Sequence, residues 1–550
     1  MVVRVQHSPA RFLVALVTLA ASCCIGGCGG EAARGRETRL LVVGWDGATF
    51  DLIDPLIEAG RLPNLARLAR AGRTAWLEST KVPISSAAWT GAATGHGPGE
   101  TGIYDFFERD DDSLGIHIID SRANRRPPIW RILSGRGLHV NVWGVPITWP
   151  PEPVTGTMVA GMLSPSAADY AWPAPYSSVL RDRGFIPDIG VWTALRKMTP
   201  ERMREQLAIK EQAVLELLSR PDWDFSMVVF KALDVASHYL YDGRPDTVVA
   251  QLLMDLDRIL GLMLEAAGPD TDLLLVSDHG FGIYPFSFNI SSWLLETGYS
   301  VESGVSEGAL PKATPIVDYQ PELDRRRLEA LDLTRTRALA TNTECEGNFG
   351  SLRLQVAGRD PGGIVSPADF EALLAEIEAE LQAFSPGGRP LVTRTWRGSE
   401  LYPGPAREAI PDLIFEIVPD HMVLANATDG ILTKYDRPRP EHRLDGIFVA
   451  SGPSIAQAFE RERFQVFDIA PIALHLLEQP FYEEMTGDPR AHLLAEPRPV
   501  IRIKQADDHD LPSRDAAWDP PELTAEERAA QERLLRALGY AEGEDDEDDG

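Results

Sequence analysis

The sequence predicts an α/β protein built on a mostly parallel sheet with helices on both faces. Short apolar runs alternate with long helical stretches, the pattern of such a sheet. Several of the runs end at a carboxylate: Asp46, Asp234 and Asp278 each follow one, at the strand ends where open α/β sheets bind ligands.

The first run, Arg39-Leu40-Leu41-Val42-Val43-Gly44, reads as a buried parallel strand delivering Asp46. Pro63 to Ala71 has helical periodicity, with Leu65, Leu68 and Ala69 on one face. Further strands are expected over His139–Val145, Met227–Lys231, Asp272–Ser277 and Gly446–Ala450. The longest helices are expected over Arg202–Leu218 and Thr247–Ala266. The stretch from about Glu296 to Pro440 breaks the pattern with Pro/Gly-rich segments, a helix over Ala368–Phe384 and a strand near Leu352–Val356. It reads as an inserted cap within a catalytic domain spanning 39–503. Beyond it, a helix over Ala525–Leu538 carries a Thr524/Glu527 capping box and Gly539 at C′. Ala541 to Gly550, nearly all Asp and Glu, reads as a solvated tail, so residues 504–550 form a separate C-terminal segment.

A chain of 550 residues can bury a large core, and 44% hydrophobic with 25% charged residues is ordinarily globular. The formal net charge of −29 argues against nucleic acid as the main partner, since such proteins show a basic footprint. Arg4 and Arg11 precede an apolar stretch, Phe12 to Ile25, too short to span a bilayer comfortably. Ile25-Gly26-Gly27-Cys28 then looks like a bacterial lipobox, so residues 1–27 read as a lipoprotein signal and Cys28 as the lipidated residue. Cys23 is the alternative site, and an uncleaved signal anchor the alternative reading. Residues 28–38, small and polar, suit a tether. The expected location is the bacterial cell envelope, exported and lipid-anchored. Past these early cysteines only Cys345 remains, which excludes an intrachain disulfide and a Cys-rich zinc site in the mature chain.

Metals must therefore be held by His and carboxylate. The sequence offers Asp46, the Asp234/His238 pair, the Asp278-His279-Gly280 run and His442, with Ser85 between the first two. Three aspartates, three histidines and a hydroxyl suit two divalent cations and a nucleophile, the requirements of in-line displacement at phosphorus. Histidine among the ligands favours zinc or manganese over calcium. Each motif alone has a bland explanation: an Asp after a strand caps a loop, and Asp-x-x-x-His is a helical surface pair. The ordered combination is harder to explain that way.

The set resembles the alkaline phosphatase superfamily, in particular its type I phosphodiesterase/nucleotide pyrophosphatase branch. The residues that carry the resemblance are Val43-Gly44-Trp45-Asp46-Gly47, Ser85 to Trp89 with Thr94-Gly95, and Pro98 to Ile103. Asp234 to His238, Ser277 to Phe281, Gly358 to Pro361, His442 to Gly446 and Phe467 to Pro471 complete it, from about Leu40 to Arg490. The resemblance implies a three-layer sandwich with a mixed, mostly parallel central sheet. It implies one metal held by Asp234, His238 and His442, and another by Asp46, Asp278, His279 and Ser85 Oγ. Ser85 would attack phosphorus and form a phosphoseryl enzyme. Ser86 competes for that role, but Ser85 stands at the family's distance of nine residues before Thr94; Ser86 otherwise reads as an N-cap.

Two positions depart from the family. Ala88 stands where many members place Asn to contact a phosphoryl oxygen, and Thr101 stands where many have His. Arg359 is a candidate replacement cation from the cap; its plainer reading is a turn-stabilising Arg. The implied activity is hydrolysis of a phosphate ester, expected to be a diester, on a small molecule or lipid headgroup. Phosphoryl transfer or mutase chemistry is the alternative enzyme, and a non-catalytic envelope scaffold the alternative class. A sulfatase is disfavoured, because Ser85 to Trp89 lacks the Pro and Arg that formylglycine formation needs.

Overall fold

The structure is a computed structural model that describes residues 38–109, 116–165, 168–187, 199–244, 247–303, 328–341, 344–425 and 430–512. The expected leader with Cys28, most of the tether, the helix over 525–538 and the acidic tail lie outside these residues. Nine strands form the central sheet: β1 (Arg39–Trp45), β2 (Arg73–Glu78), β3 (Val140–Trp143), β4 (Thr157–Val159), β5 (Ala171–Trp172), β6 (Phe225–Phe230), β7 (Thr271–Val276), β8 (Asp445–Ser451) and β9 (Glu462–Gln465). Their spatial order is β9-β2-β8-β7-β1-β6-β3-β4-β5. β7, β1, β6, β3 and β4 run parallel in succession, β8 pairs antiparallel with β7 and β2, and β5 is antiparallel to β4. The sheet is mixed and mostly parallel, as the sequence predicts.

Alternation along the strands explains the layers. In β1, Leu40 and Val42 enter one core while Leu41, Val43 and Trp45 enter the other. β7 divides the same way, with Leu274 and Val276 on one face and Leu273 and Leu275 on the other. A strand buried on both faces reads as a continuous apolar run, which is why these were legible. Helices Ser85–Thr94, Ile129–Gly135 and Ile469–Leu476 cover the first face. Helices Phe50–Glu58, Pro63–Ala71, Pro200–Leu218 and Val248–Ala267 cover the second. Burial here is energetic as well as geometric: truncating a fully buried leucine such as Leu275 to Ala would cost about 2–5 kcal/mol. Among the described residues no helix is long and apolar enough to cross a membrane.

The cap has its own core. Helix Phe370–Ala383 lays Leu373, Leu374, Ile377 and Leu381 against a four-stranded sheet of Ala338–Leu339, Phe349–Leu354, Leu413–Ile417 and Val392–Arg397. It is rooted on a long antiparallel ribbon, Gly280–Asn289 against Leu432–Arg443. The second ribbon strand starts inside the stretch read as insertion and runs on to His442. The sequence predicts no strand over 432–440; its polar, twice Pro-interrupted stretch hides one that is mostly exposed or half-buried.

Candidate active site

The carboxyl ends of β1, β6 and β7 lie side by side, and the residues that follow converge there. Asp46 follows β1, the helix Ala232–Leu240 carrying Asp234 and His238 follows β6, and Asp278-His279 follow β7. One helical turn separates Asp234 from His238, which puts both on the same face. Ser277 ties two of the turns together: its Oγ accepts from Ala48 N (2.9 Å) and donates to the His279 carbonyl (2.6 Å). His442 arrives across the ribbon, where Phe281 pairs with His442, and its ring stacks on His279 at 3.6 Å. Glycine is needed twice. A Cβ at Gly280 would collide with the Asp445 carbonyl, and one at Gly44 with the Trp89 ring.

Ser85 is the first residue of its helix, with Ile84 as N-cap; Ser86 is therefore not the cap it was expected to be. The Ser85 Oγ lies 3.2 Å from His279 Nε2 and 3.2 Å from Lys231 Nζ. Ser86 Oγ is buried with no hydrogen-bond partner.

The inward-facing atoms divide into two adjoining groups, which meet where His279 Nε2 lies 3.9 Å from Asp234 Oδ1. In one, His442 Nε2, His238 Nε2 and Asp234 Oδ1 are separated by 3.0, 3.2 and 3.5 Å. In the other, His279 Nε2 lies 3.5 Å from Asp46 Oδ1, 3.4 Å from Asp278 Oδ2 and 3.2 Å from Ser85 Oγ. A tetrahedral shell with bonds of about 2.05 Å spaces its ligand atoms about 3.3 Å apart. The first group has that spacing throughout, and in the second the three distances from His279 Nε2 match it. The tautomers agree as well. His279 Nδ1 meets the Gly280 carbonyl at 3.1 Å and His442 Nδ1 meets the Pro83 carbonyl at 2.9 Å. A carbonyl only accepts, so Nδ1 carries the proton and Nε2 turns a lone pair inward, as a metal ligand must. Glu346 and Glu441 stand behind, 3.5 Å from His442 Nδ1 and 3.6 Å from His238 Nδ1.

The electrostatics call for a cation. Asp46 and Asp278 are wholly buried, and Asp46 Oδ1 and both Asp278 oxygens make no hydrogen bond. Burial pushes the Asp278 carboxyl well above its ordinary value of 3.8, and the Asp46 charge adds to this. Burial raises Asp46 too, against the pull of Lys231. Asp234 goes the other way: burial would raise it, but Lys231 and His238 hold it well below the carboxylate range. Burial, then His442, pushes His279 well below its ordinary value, so it is neutral and free to ligate. Buried carboxylate oxygens without donors, facing a neutral His279, are what a bound divalent cation satisfies.

Sequence reasoning missed four contributors. Trp89 Nε1 donates to Asp46 Oδ2 at 2.8 Å. Lys231 Nζ lies 3.4 Å from Asp46 Oδ2 and 3.2 Å from Asp234 Oδ2. Glu346 and Glu441 are the others. Lys231 had a signal, a basic residue between a strand end and the Asp-x-x-x-His pair; Glu346 had none. Arg359, the candidate cation from the cap, is bound within the cap itself. Its guanidinium is held by Asp412 at 2.7 and 2.8 Å, by Asp360 at 2.8 Å and by the Leu354 carbonyl at 2.6 Å. These contacts fasten a cap turn. Thr101 Oγ1 accepts from Ile103 N at 3.2 Å, a local turn contact.

Comparison with curated proteins returns no match. Among solved structures, phosphonoacetate hydrolase from Sinorhizobium meliloti 1021, in complex with phosphonoformate, superposes with a TM-score of 0.54 at 16% identity, covering 80% of this chain and 96% of that one. Human ectonucleotide pyrophosphatase / phosphodiesterase 5 superposes at 0.50 with 14% identity, covering 83% and 100%. At such identities the likeness shows the fold, which is alkaline-phosphatase-like. The profile of type I phosphodiesterase / nucleotide pyrophosphatase matches residues 40–442, most of the sheet and every residue of the two groups. The chain is a phosphohydrolase of the type I phosphodiesterase / nucleotide pyrophosphatase family.

Proposed function

We propose that this protein hydrolyses a small phosphodiester at a two-cation centre, with Ser85 as nucleophile. The observation that carries the reading is the pair of ligand groups with tetrahedral spacing, one of which includes Ser85 Oγ. Asp234, His238 and His442 would hold one cation, and Asp46, Asp278 and His279 the other; the donor set favours zinc, with manganese or magnesium as alternatives. When bound, these cations supply positive charge for the attacking, leaving and non-bridging oxygens.

The chain's own residues do the rest. The Gly280 and Pro83 carbonyls fix the imidazole tautomers. The first N–H groups of the Ser85–Thr94 helix have no intrahelical acceptors and would be available to a phosphoryl group held at Ser85 Oγ. Ser85 Oγ bonds to phosphorus as the leaving oxygen departs, and water then releases the phosphoryl group from the serine. Phosphonoacetate hydrolase, on the same fold, acts on a small phosphonate, which suits a small substrate here. Residues 39–503 form the catalytic domain in this reading, exported and tethered to the envelope through Cys28.

The test is a panel of bis-aryl phosphodiesters, aryl phosphomonoesters and aryl sulfates, assayed after chelation and after adding back zinc or manganese. Diester hydrolysis should vanish on chelation and return with metal. Undiminished activity in protein shown metal-free by elemental analysis would sink the assignment.

A further inference from the structure

We propose that the Lys231 ammonium is a catalytic group of this site, donating a hydrogen bond to a non-bridging phosphoryl oxygen while it holds Ser85 Oγ. The proposal deepens the Ser85 reading above and rests on it. Lys231 Nζ reaches groups from three separate segments: Ser85 Oγ at 3.2 Å, Asp234 Oδ2 at 3.2 Å and Asp46 Oδ2 at 3.4 Å. An ammonium one hydrogen bond from the attacking oxygen is also beside the phosphorus substituents once that oxygen attacks. Its side chain is 17% exposed while Asp46 is fully buried, so it stands on the wall of the site that a ligand can reach.

Its place in the backbone also needs explaining. Lys231 is the N-cap of the Ala232–Leu240 helix and makes no side-chain cap bond. Ser, Thr, Asp and Asn are the residues that serve there, and the positive end of the helix dipole disfavours a cation. Local preference thus argues against Lys at 231, and a residue that breaks a local rule is expected where function requires it. Ala88, one turn after Ser85 on the same helix face, offers a buried methyl. Arg359 is committed to Asp412 and Asp360. The non-bridging oxygens gain charge as phosphorus is attacked, and a fixed donor in a buried site stabilises that charge more than the ground state.

The experiment compares the metal-loaded full chain with Lys231→Met and Lys231→Cys. Readouts are metal stoichiometry, orthovanadate affinity by calorimetry, and kcat and KM for a bis-aryl phosphodiester. Lys231→Met should keep its metal, bind vanadate at least about tenfold more weakly, and lose about 10²–10³ in kcat with a smaller change in KM. Alkylating Lys231→Cys with bromoethylamine, which rebuilds an ammonium of nearly lysine length, should restore both vanadate affinity and kcat; the same treatment should not change the parent. Loss of metal from Lys231→Met in step with activity would overturn the proposal, because the lysine would then only balance the carboxylates. Unchanged vanadate affinity would overturn it too. If the parent hydrolyses diester and traps phosphate on Ser85 while Lys231→Met equals it, only the lysine falls. If the parent does neither, the Ser85 reading and this proposal fall together.

Discussion

Trp89→Phe should weaken metal binding without touching any proposed ligand. Asp46 is fully buried, and its one close hydrogen bond is the 2.8 Å donation from Trp89 Nε1 to Oδ2. The next donor, Lys231 Nζ, is at 3.4 Å. Phenylalanine keeps a ring against Gly44 but removes the N–H. A hydrogen bond to a buried charged group is worth about 1.5–3 kcal/mol. Loss of a partner that orients a metal ligand costs about 10–100-fold in affinity, or about 1.4–2.8 kcal/mol. The two estimates agree, so a drop of about 10–100-fold is expected for the cation at Asp46, Asp278 and His279. Competition against a chromogenic chelator at neutral pH would show one weakened and one unchanged site. Equal weakening of both sites, or affinities within about twofold of the parent, would refute the reasoning, since Trp89 contacts only one of the two groups.

Ser85→Ala should keep metal and lose several orders of magnitude in activity, with phosphate trapped on Ser85 of the parent by acid quench and peptide mass spectrometry; Ser86→Ala should cost far less. If Ser86→Ala is the dead variant, the register is wrong by one. The benefit of metal to stability should grow with pH. Asp278 is raised well above 3.8, so in the metal-free chain its protonation favours the fold, and that contribution is lost as pH rises from near 3.8 through the raised value. The melting gap between loaded and stripped protein should widen over that rise; a gap constant with pH would contradict it. Arg359→Lys, which loses the two-pronged grip on Asp412, should raise protease sensitivity of the cap and leave diester kcat/KM within about threefold. Finally, Cys28→Ala should lose metabolic palmitate label; label lost only in Cys23→Ala would move the cleavage site, and none in either would favour a signal anchor.

The sheet was legible because its central strands are buried on both faces. β1, β6 and β7 are continuous apolar runs, and their observed ends differ from the expected ones by one or two residues. The metal-ligand types were legible because Asp-x-x-x-His and Asp-His-Gly keep their members within one helical turn or one bend. What reads poorly depends on contacts distant in sequence. The ribbon strand Leu432–Arg443 is polar and Pro-interrupted, and only its pairing with Gly280–Asn289 shows it to be a strand. Arg359 looked like a phosphate fork because Asp412, fifty-three residues on, cannot be seen beside it. Lys231 went unnoticed because its role depends on side-chain reach. Ser86 looked like a cap because the true N-cap, Ile84, falls two residues before it and has no capping side chain.

The ribbon under the cap has a mechanical consequence. Its two strands leave the sheet at His279 and return at His442, and between those ends the chain builds the whole cap. The two imidazoles, one from each proposed cation group, are therefore the feet of the arch that carries the cap. A cap that tilts to admit a ligand twists the arch, and the stacked rings are the first parts of the centre to feel it. Grafting a cap from another protein onto this sheet would therefore disturb the spacing of the two imidazoles. The cap and the residues at its feet are one mechanical unit, not two exchangeable parts.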